Sequence, residues 1–415
     1  MKMLQGLDKR FTPFFLFYVF CFAAVAIFTS FINVYFYQMG FAISQIGMLT
    51  ALGPIISMAA QPMWGILSDR TNKKYVLMIV LAGAAIMSLV VPLSAAFLWL
   101  VIMLLIYWAF ATSIIPLGDA ITLQFLEDKQ IKYSAMRVVG ALSFGLISAF
   151  AGLMLGGNIG RIFYYNAAFM VITCLLVFFM SAKRKQETEK VTEAPDTISA
   201  PDPNGRKMRP VETQSGLKAF VKLLNNKIVL CVYLTSFVFG LTMTFIHNFI
   251  GIRITELGAN ESQIGIALFI AAFSEIPIFL TIDRVFRKHK PEYLLMLSAF
   301  FMGLRLVIMY FAQSVLLIYI AQMVHGFSFI IHLYFCIVLL HEHSPPHMKA
   351  TVQTIHAMIR MGVGAILGGL GGGFLAQHIG IESVFLTLAI FVTSTCFVLP
   401  GVLICMHKAR NKKDK

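Results

Sequence analysis

Twelve apolar runs, each long enough to cross a bilayer, follow one another along this chain, and that succession constrains the fold more than any other feature. They fall at roughly 11–37, 43–67, 75–95, 97–125, 134–156, 162–182, 226–250, 263–282, 293–313, 315–340, 351–377 and 384–406. A helix needs about 20 apolar residues to span the hydrocarbon layer. Inside that layer each backbone N–H and C=O must be satisfied within its own segment, so such runs become helices. The reading is an all-α, polytopic membrane protein with 12 transmembrane helices. Only 13% of the 415 residues are charged, against about 25% in an ordinary soluble domain, which excludes a water-soluble core.

The charges lie between the runs. With a cytoplasmic N-terminus, the cytoplasmic segments collect 28 of the 33 Lys and Arg residues, the asymmetry that orients membrane proteins. Both termini are then cytoplasmic, and the expected location is the cell inner membrane. This pattern accounts for the formal net charge of +14, so lipid and not nucleic acid is the expected partner. Met1–Arg10 is short and basic, and the run after it is long enough to span, so no cleavable signal is expected. The six cysteines (Cys21, Cys174, Cys231, Cys336, Cys396, Cys405) all lie inside apolar runs without CxxC spacing, so neither disulfides nor a metal site are expected. No GxxxxGK[ST] phosphate loop occurs, and no catalytic constellation suggests an enzyme.

Residues 183–225 form the one long polar segment, rich in Lys, Glu, Thr, Pro and Asp, and read as a flexible cytoplasmic linker, a regulatory docking segment being the alternative. The expected division is a six-helix bundle over 1–182, this linker, a second six-helix bundle over 226–406 and a cytoplasmic tail over 407–415. An internal repeat supports two related halves. Gly40-x-x-x-Ser44-Gln45-Ile46-Gly47 recurs as Gly258-x-x-x-Ser262-Gln263-Ile264-Gly265. Each copy precedes a Pro-containing run (Pro62, Pro277) and then an Asp-Arg pair, Asp69-Arg70 and Asp283-Arg284. Parallel repeats of this kind place a substrate site at their interface near the bilayer midplane.

Gly65-Ile66-Leu67-Ser68-Asp69-Arg70-Thr71-Asn72-Lys73-Lys74 joins the second and third runs and resembles the signature loop of the major facilitator superfamily. A carboxylate at a helix end beside a cluster of cations can lock the cytoplasmic face closed; topological anchoring alone would account for the cations. Pro62-x-Trp64-Gly65, Pro116-Leu117-Gly118-Asp119, Tyr133-x-x-x-Arg137-x-x-Gly140, Ser274-Glu275-Ile276-Pro277 and Gln322-x-x-His325-Gly326 together resemble one branch of that superfamily. It holds the lactose permease-like oligosaccharide symporters, the nucleoside symporters and the phenylpropionate permease-like proteins. The resemblance implies two pseudo-symmetric six-helix bundles working by alternating access. It also implies a cytoplasmic gate at Gly65, Ser68, Asp69, Arg70, Asp283 and Arg284. Drug antiporters of the superfamily carry an Arg motif in the fourth helix and a Gly-Pro motif in the fifth. Here the fourth run has Asp119 and no Arg, and the fifth has no Pro.

Ionisable residues within spans are costly and mark function. Asp119 and Arg137 lie in adjacent runs and can form a bidentate clamp. The resemblance places a substrate-gripping acid and arginine at these positions, with Phe144 stacking on the solute. Trp108, Gln322 and Asn248 are further candidates for substrate contact, and His247, Asn33 and Tyr37 are candidates for lining the mouth. A structural ion pair and ordinary packing are the plain alternatives. Glu275, Arg305 and His325 form a second constellation, which the resemblance assigns to proton coupling; there Arg305 is expected to oppose Glu275. The branch carries a second acid three residues after the histidine, and here that position is Ser328. Gln322, His325, Ser328 and His332 share one helical face and are expected to line the cavity. Arg360 is expected to reach toward the membrane surface.

The expected function is secondary transport without a cofactor: proton-driven uptake of a small polar solute such as an oligosaccharide or nucleoside, by a monomer. Proton-coupled efflux of drugs or amphiphiles is the alternative. A non-transporting sensor on the same fold would not need the charges inside its spans.

Overall fold

The computed structural model describes residues 11–126, 133–180, 226–285, 289–345 and 348–413. The linker expected at 183–225 lies outside them. Among the described residues there are twelve helices long and apolar enough to cross a membrane, and no strand. In chain order they are α1 (Thr12–Gln38), α2 (Ile43–Arg70), α3 (Lys73–Val90, ending in a 3-10 turn), α4 (Phe97–Ala111 and Ile114–Leu126), α5 (Tyr133–Leu155) and α6 (Arg161–Phe179). The second half holds α7 (Lys227–Glu256), α8 (Glu261–Val285), α9 (Pro291–Tyr310), α10 (Val315–Met323 and His325–Glu342), α11 (Lys349–Ala357, Met358–Val363 and Gly364–Ile379) and α12 (Ile381–Lys413). The last helix runs through most of the segment expected to be a tail. The two halves form six-helix bundles of one polytopic membrane protein.

The repeat explains how each half begins. Gly40 and Gly258 have φ of 83° and 79°, a conformation that costs a residue with a Cβ. They end α1 and α7 alike. Gly40 N donates to Tyr37 O and Phe41 N to Phe36 O; Gly258 N donates to Thr255 O and Ala259 N to Ile254 O. This is the Schellman pattern. The repeat glutamine then caps the next helix: Gln45 Oε1 accepts from Ala42 N at 3.0 Å, and Gln263 Oε1 from Asn260 N at 3.1 Å.

The second glycine of each repeat lies where the halves meet. A Cβ on Gly47 would stand 2.5 Å from Gly369 O and 3.0 Å from Gly373 Cα on α11, and a Cβ on Gly265 would overlap Ser148 O on α5. Small residues let helix backbones approach this closely. The contacts α2–α11 and α5–α8 are equivalent under the two-fold relation between the halves. A third crossing, α1 on α7, brings Asn33 Nδ2 to Asn248 O at 3.0 Å. Gln38 Nε2 donates to Glu261 Oε1 at 3.4 Å, and Ser44 N to Gln377 Oε1 at 3.4 Å. All these contacts lie toward the membrane face opposite the chain termini. The halves are closed there and parted toward the termini.

Candidate functional site

Between the halves lies a cavity of about 710 Å³. It runs from Phe36 and Asn248 near the closed end to Pro62 and Thr354 toward the termini, lined by α1, α2, α4, α7 and α11. Its walls are largely apolar, with Met58, Trp108, Met358 and Met361 among them. Of the expected substrate contacts, Trp108 and Asn248 line it; Asp119, Arg137, Phe144 and Gln322 do not.

The shape of the N-terminal half around the cavity comes from α4. Pro116 has no N–H to give to Thr112 O, so the helix breaks at Thr112 and Ser113. The carbonyls freed at the break take side-chain donors from α2: Gln61 Nε2 reaches Thr112 O at 3.1 Å, and Trp64 Nε1 reaches Ala109 O at 2.8 Å. After the break α4 carries Asp119 toward α1 and α5. Tyr18 Oη donates to Asp119 Oδ1 at 2.6 Å, and Arg137 Nη1 stands 3.5 Å from Asp119 Oδ2. The Arg137 guanidinium lies over the Phe22 ring at 5.3 Å. The structure thus brings Asp119 and Arg137 together. The pair is not sealed, since 43% of the Arg137 side chain and 22% of the Asp119 side chain are exposed. Tyr18 and Phe22 are partners that sequence reasoning missed. The signal was a carboxylate inside a span that needs donors, but nothing in α1 says which turn faces it.

In the C-terminal half Gly326 lets α10 pack directly on the α8 backbone at Ser274, and Gly326 N donates to Ser274 Oγ at 2.9 Å. That crossing sets Glu275 beside His325. His325 Nε2 lies 3.0 Å from Glu275 Oε1, and His325 Nδ1 lies 2.9 Å from Arg305 Nη1. Arg305 also donates to Gln322 Oε1 and to Met243 Sδ. Arginine only donates, so Nδ1 must accept and the ring proton sits on Nε2, facing the carboxylate. The sequence expectation set Arg305 against Glu275; in the structure His325 stands between them and relays the contact.

The polar face of α10 is turned away from the cavity, contrary to expectation. Gln322 is 1% exposed behind Arg305, so it holds the arginine and not a solute. Ser328 Oγ donates to His325 O within its own helix. His332 stacks on Phe239 at 3.9 Å and contacts Cys336 Sγ at 3.4 Å. The physical reason is that each buried polar group needs a partner in lipid, and α7, α8 and α9 supply them. Arg360 does not reach toward the surface either; its guanidinium lies over Phe329 at 5.9 Å. It belongs to a π-helical segment, Met358–Val363, an irregularity frequent at functional sites and invisible in the sequence. Phe144 is half-buried on α5.

At the end of the molecule that carries the termini, Asp69 makes an exposed pair with Lys73 at 3.7 Å. Ser68 is buried and bonds Gly65 O at 2.8 Å. Arg70 and Arg284 are exposed, and a Cβ on Gly65 would meet open space. The side chain of Asp283 lies outside the described residues.

A family model described as the MFS_1 like family matches residues 12–387. The chain belongs to the MFS_1-like family. It is therefore a major facilitator transporter and not an enzyme. The maltose permease of Geobacillus stearothermophilus is 24% identical over 98% of this chain and 97% of its own length. The multidrug resistance protein MdtG of Klebsiella pneumoniae is 23% identical over 83% of this chain and 80% of its own. The crystal structure of nucleoside transporter NupG superposes with a TM-score of 0.78 at 19% identity, covering 95% of this chain and 99% of that one, a likeness of fold.

Proposed function

We propose that this transporter is a proton symporter that imports a small polar solute, an oligosaccharide or a nucleoside, through the inner membrane by alternating access. The termini are cytoplasmic in this reading, so the cavity opens inward. One observation carries it: Asp119 with Arg137 in one half, and Glu275, His325 and Arg305 in the other, form ionic networks within the spans. Such groups are expensive in lipid and are kept for binding and coupling. Asp119, Arg137 and Phe144 stand outside the cavity lining in this state; as the halves close around the solute, the pair grips its hydroxyls and Phe144 stacks on the ring. Glu275 carries the proton. Once protonated it no longer anchors His325 Nε2–H by charge, which loosens the hold of α8 on α10 and Arg305. The relatives named maltose permease and nucleoside transporter support the solute class.

Asp69, Arg70, Asp283 and Arg284, with Gly65 and Ser68, form the cytoplasmic gate, which is unlatched in the inward-open state. The protein acts as a monomer, and 183–225 is a plain linker. Efflux is the second reading, favoured by the likeness to MdtG. The test is uptake into proteoliposomes under an imposed pH gradient, with radiolabelled maltose, lactose, uridine and adenosine and with a cationic dye for the efflux reading. Gradient-driven accumulation of a sugar or nucleoside supports import; pumping of the dye alone supports export.

A further inference from the structure

The closed end of the cavity holds polar groups that the protein itself leaves unused. His247 and Asn248 on α7 and Asn33 on α1 line it together. Asn33 is only 4% exposed. Its amide nitrogen is spent on Asn248 O, but its Oδ1 has no partner. The His247 ring is exposed to the cavity, and among the described residues neither it nor the Asn248 side-chain amide has a hydrogen-bond partner. Buried polar groups in folded proteins are almost always paired, and in a membrane span the penalty for leaving them unpaired is larger. Polar groups from two halves meet here, His247 and Asn248 facing the open space and Asn33 Oδ1 buried at its wall, and they call for a ligand that supplies the complement. No Asp, Glu, Lys or Arg lines the cavity. The complement is therefore an uncharged ring bearing hydroxyl or amide groups, with Trp108 lower in the cavity as an apolar wall.

His247 has a second neighbourhood. Met243 lies one turn before it on the same face of α7, and Met243 Sδ receives Arg305 Nη1 at 3.6 Å. Arg305 lies within electrostatic range of His247, and so does His325. The ring thus has the cavity on one side and the Arg305–His325–Glu275 chain on the other.

We infer that His247, with Asn33 and Asn248, forms a subsite for an uncharged polar ring at the closed end of the cavity, and that His247 is the contact through which solute occupancy reaches Arg305, His325 and Glu275. The inference rests on the import reading. It adds a solute contact separate from the Asp119–Arg137 pair and gives that contact a route to the coupling groups. A solute bonded to His247 fixes the ring and its proton. The titratable and charged groups facing that ring are Arg305 from α9, His325 from α10 and, through His325, Glu275 from α8. The faces from α1, α2, α4 and α11 present no charge.

The experiment uses the full chain in detergent. Diethylpyrocarbonate carbethoxylates neutral imidazole, and mass spectrometry reads each histidine separately. His247 should react far faster than the buried His325, His332 and His356, and maltose or uridine should protect it. Fluorescence titration with the same two probes then compares wild type, His247→Phe and His247→Gln. The phenylalanine variant should bind about tenfold more weakly, the loss of two hydrogen bonds to the solute. The glutamine variant, which keeps hydrogen bonding but not titration, should bind within about threefold of wild type and show an affinity less dependent on pH than that of wild type. His247 reacting no faster than the buried histidines, or wild-type affinity in the phenylalanine variant, overturns the inference. Wild-type protein that binds neither probe while His247 still reacts faster than the buried histidines overturns the sugar-or-nucleoside reading instead and leaves the subsite standing.

Discussion

Replacing Gly47 by leucine should push the transporter out of the state seen here. The first atom of the new side chain would stand 2.5 Å from Gly369 O and 3.0 Å from Gly373 Cα, and both obstacles are backbone. No rotamer change relieves such a contact, so α2 and α11 must part by about an ångström at the closed end. Overpacking of this kind costs about 1–3 kcal/mol. Set against the equilibrium between the two access states, it favours the state open at that end by about 5- to 150-fold. The leucine is not strained once the helices have parted, because Gly47 sits within regular helix. Gly265→Leu should act likewise through Ser148, and the double variant should shift further. Double electron–electron resonance between spin labels at Met39 and Asn260, in a cysteine-free background, reads the separation directly. Each variant should move population to longer distances. A distribution indistinguishable from that of the parent would show that these glycines do not set the closed end.

Asp119→Asn and Arg137→Lys should each weaken solute binding by about 10- to 100-fold, the worth of a hydrogen bond to a charged group; normal affinity in either purified variant would return the pair to a structural role. Tyr18→Phe, which removes the 2.6 Å bond to Asp119, should weaken binding by about fivefold without loss of folded protein, measured by titration beside a melting curve. Asp69→Asn and Arg70→Ala should lower turnover while leaving affinity unchanged, because both are exposed at the end of the molecule that carries the termini; normal turnover would reduce the loop to a topological anchor.

The helix count and the repeat were legible because lipid leaves so few options. A run such as Phe97–Leu126 has nowhere to go but across the membrane, and the repeated Gly40 and Gly258 turn out to end α1 and α7 in the same way. The families of charge were legible too: Asp119 with Arg137, and Glu275 with Arg305 and His325, are brought together. What the sequence hid was direction. Gln322 and His332 share a face with His325, but whether that face meets the cavity or the neighbouring helices depends on how α10 is rotated against α8 and α9. The run 97–125 was read as one unbroken helix; the break that Pro116 imposes on α4, and the filling of it by Gln61 and Trp64, came only from the structure. The π-helical turn around Arg360 follows from helix packing and leaves no mark in local composition.

Glu275 is proposed to carry the coupling proton, and one paired measurement addresses it. Proteoliposomes containing wild type or Glu275→Gln are assayed for equilibrium exchange of a transported solute and for its accumulation under an imposed pH gradient. Glutamine keeps an acceptor for His325 Nε2–H but binds no proton. The variant should therefore exchange solute at a rate near wild type and fail to concentrate it. A Glu275→Gln protein that still accumulates solute against its gradient would contradict the claim and move the proton to His325 or Asp119.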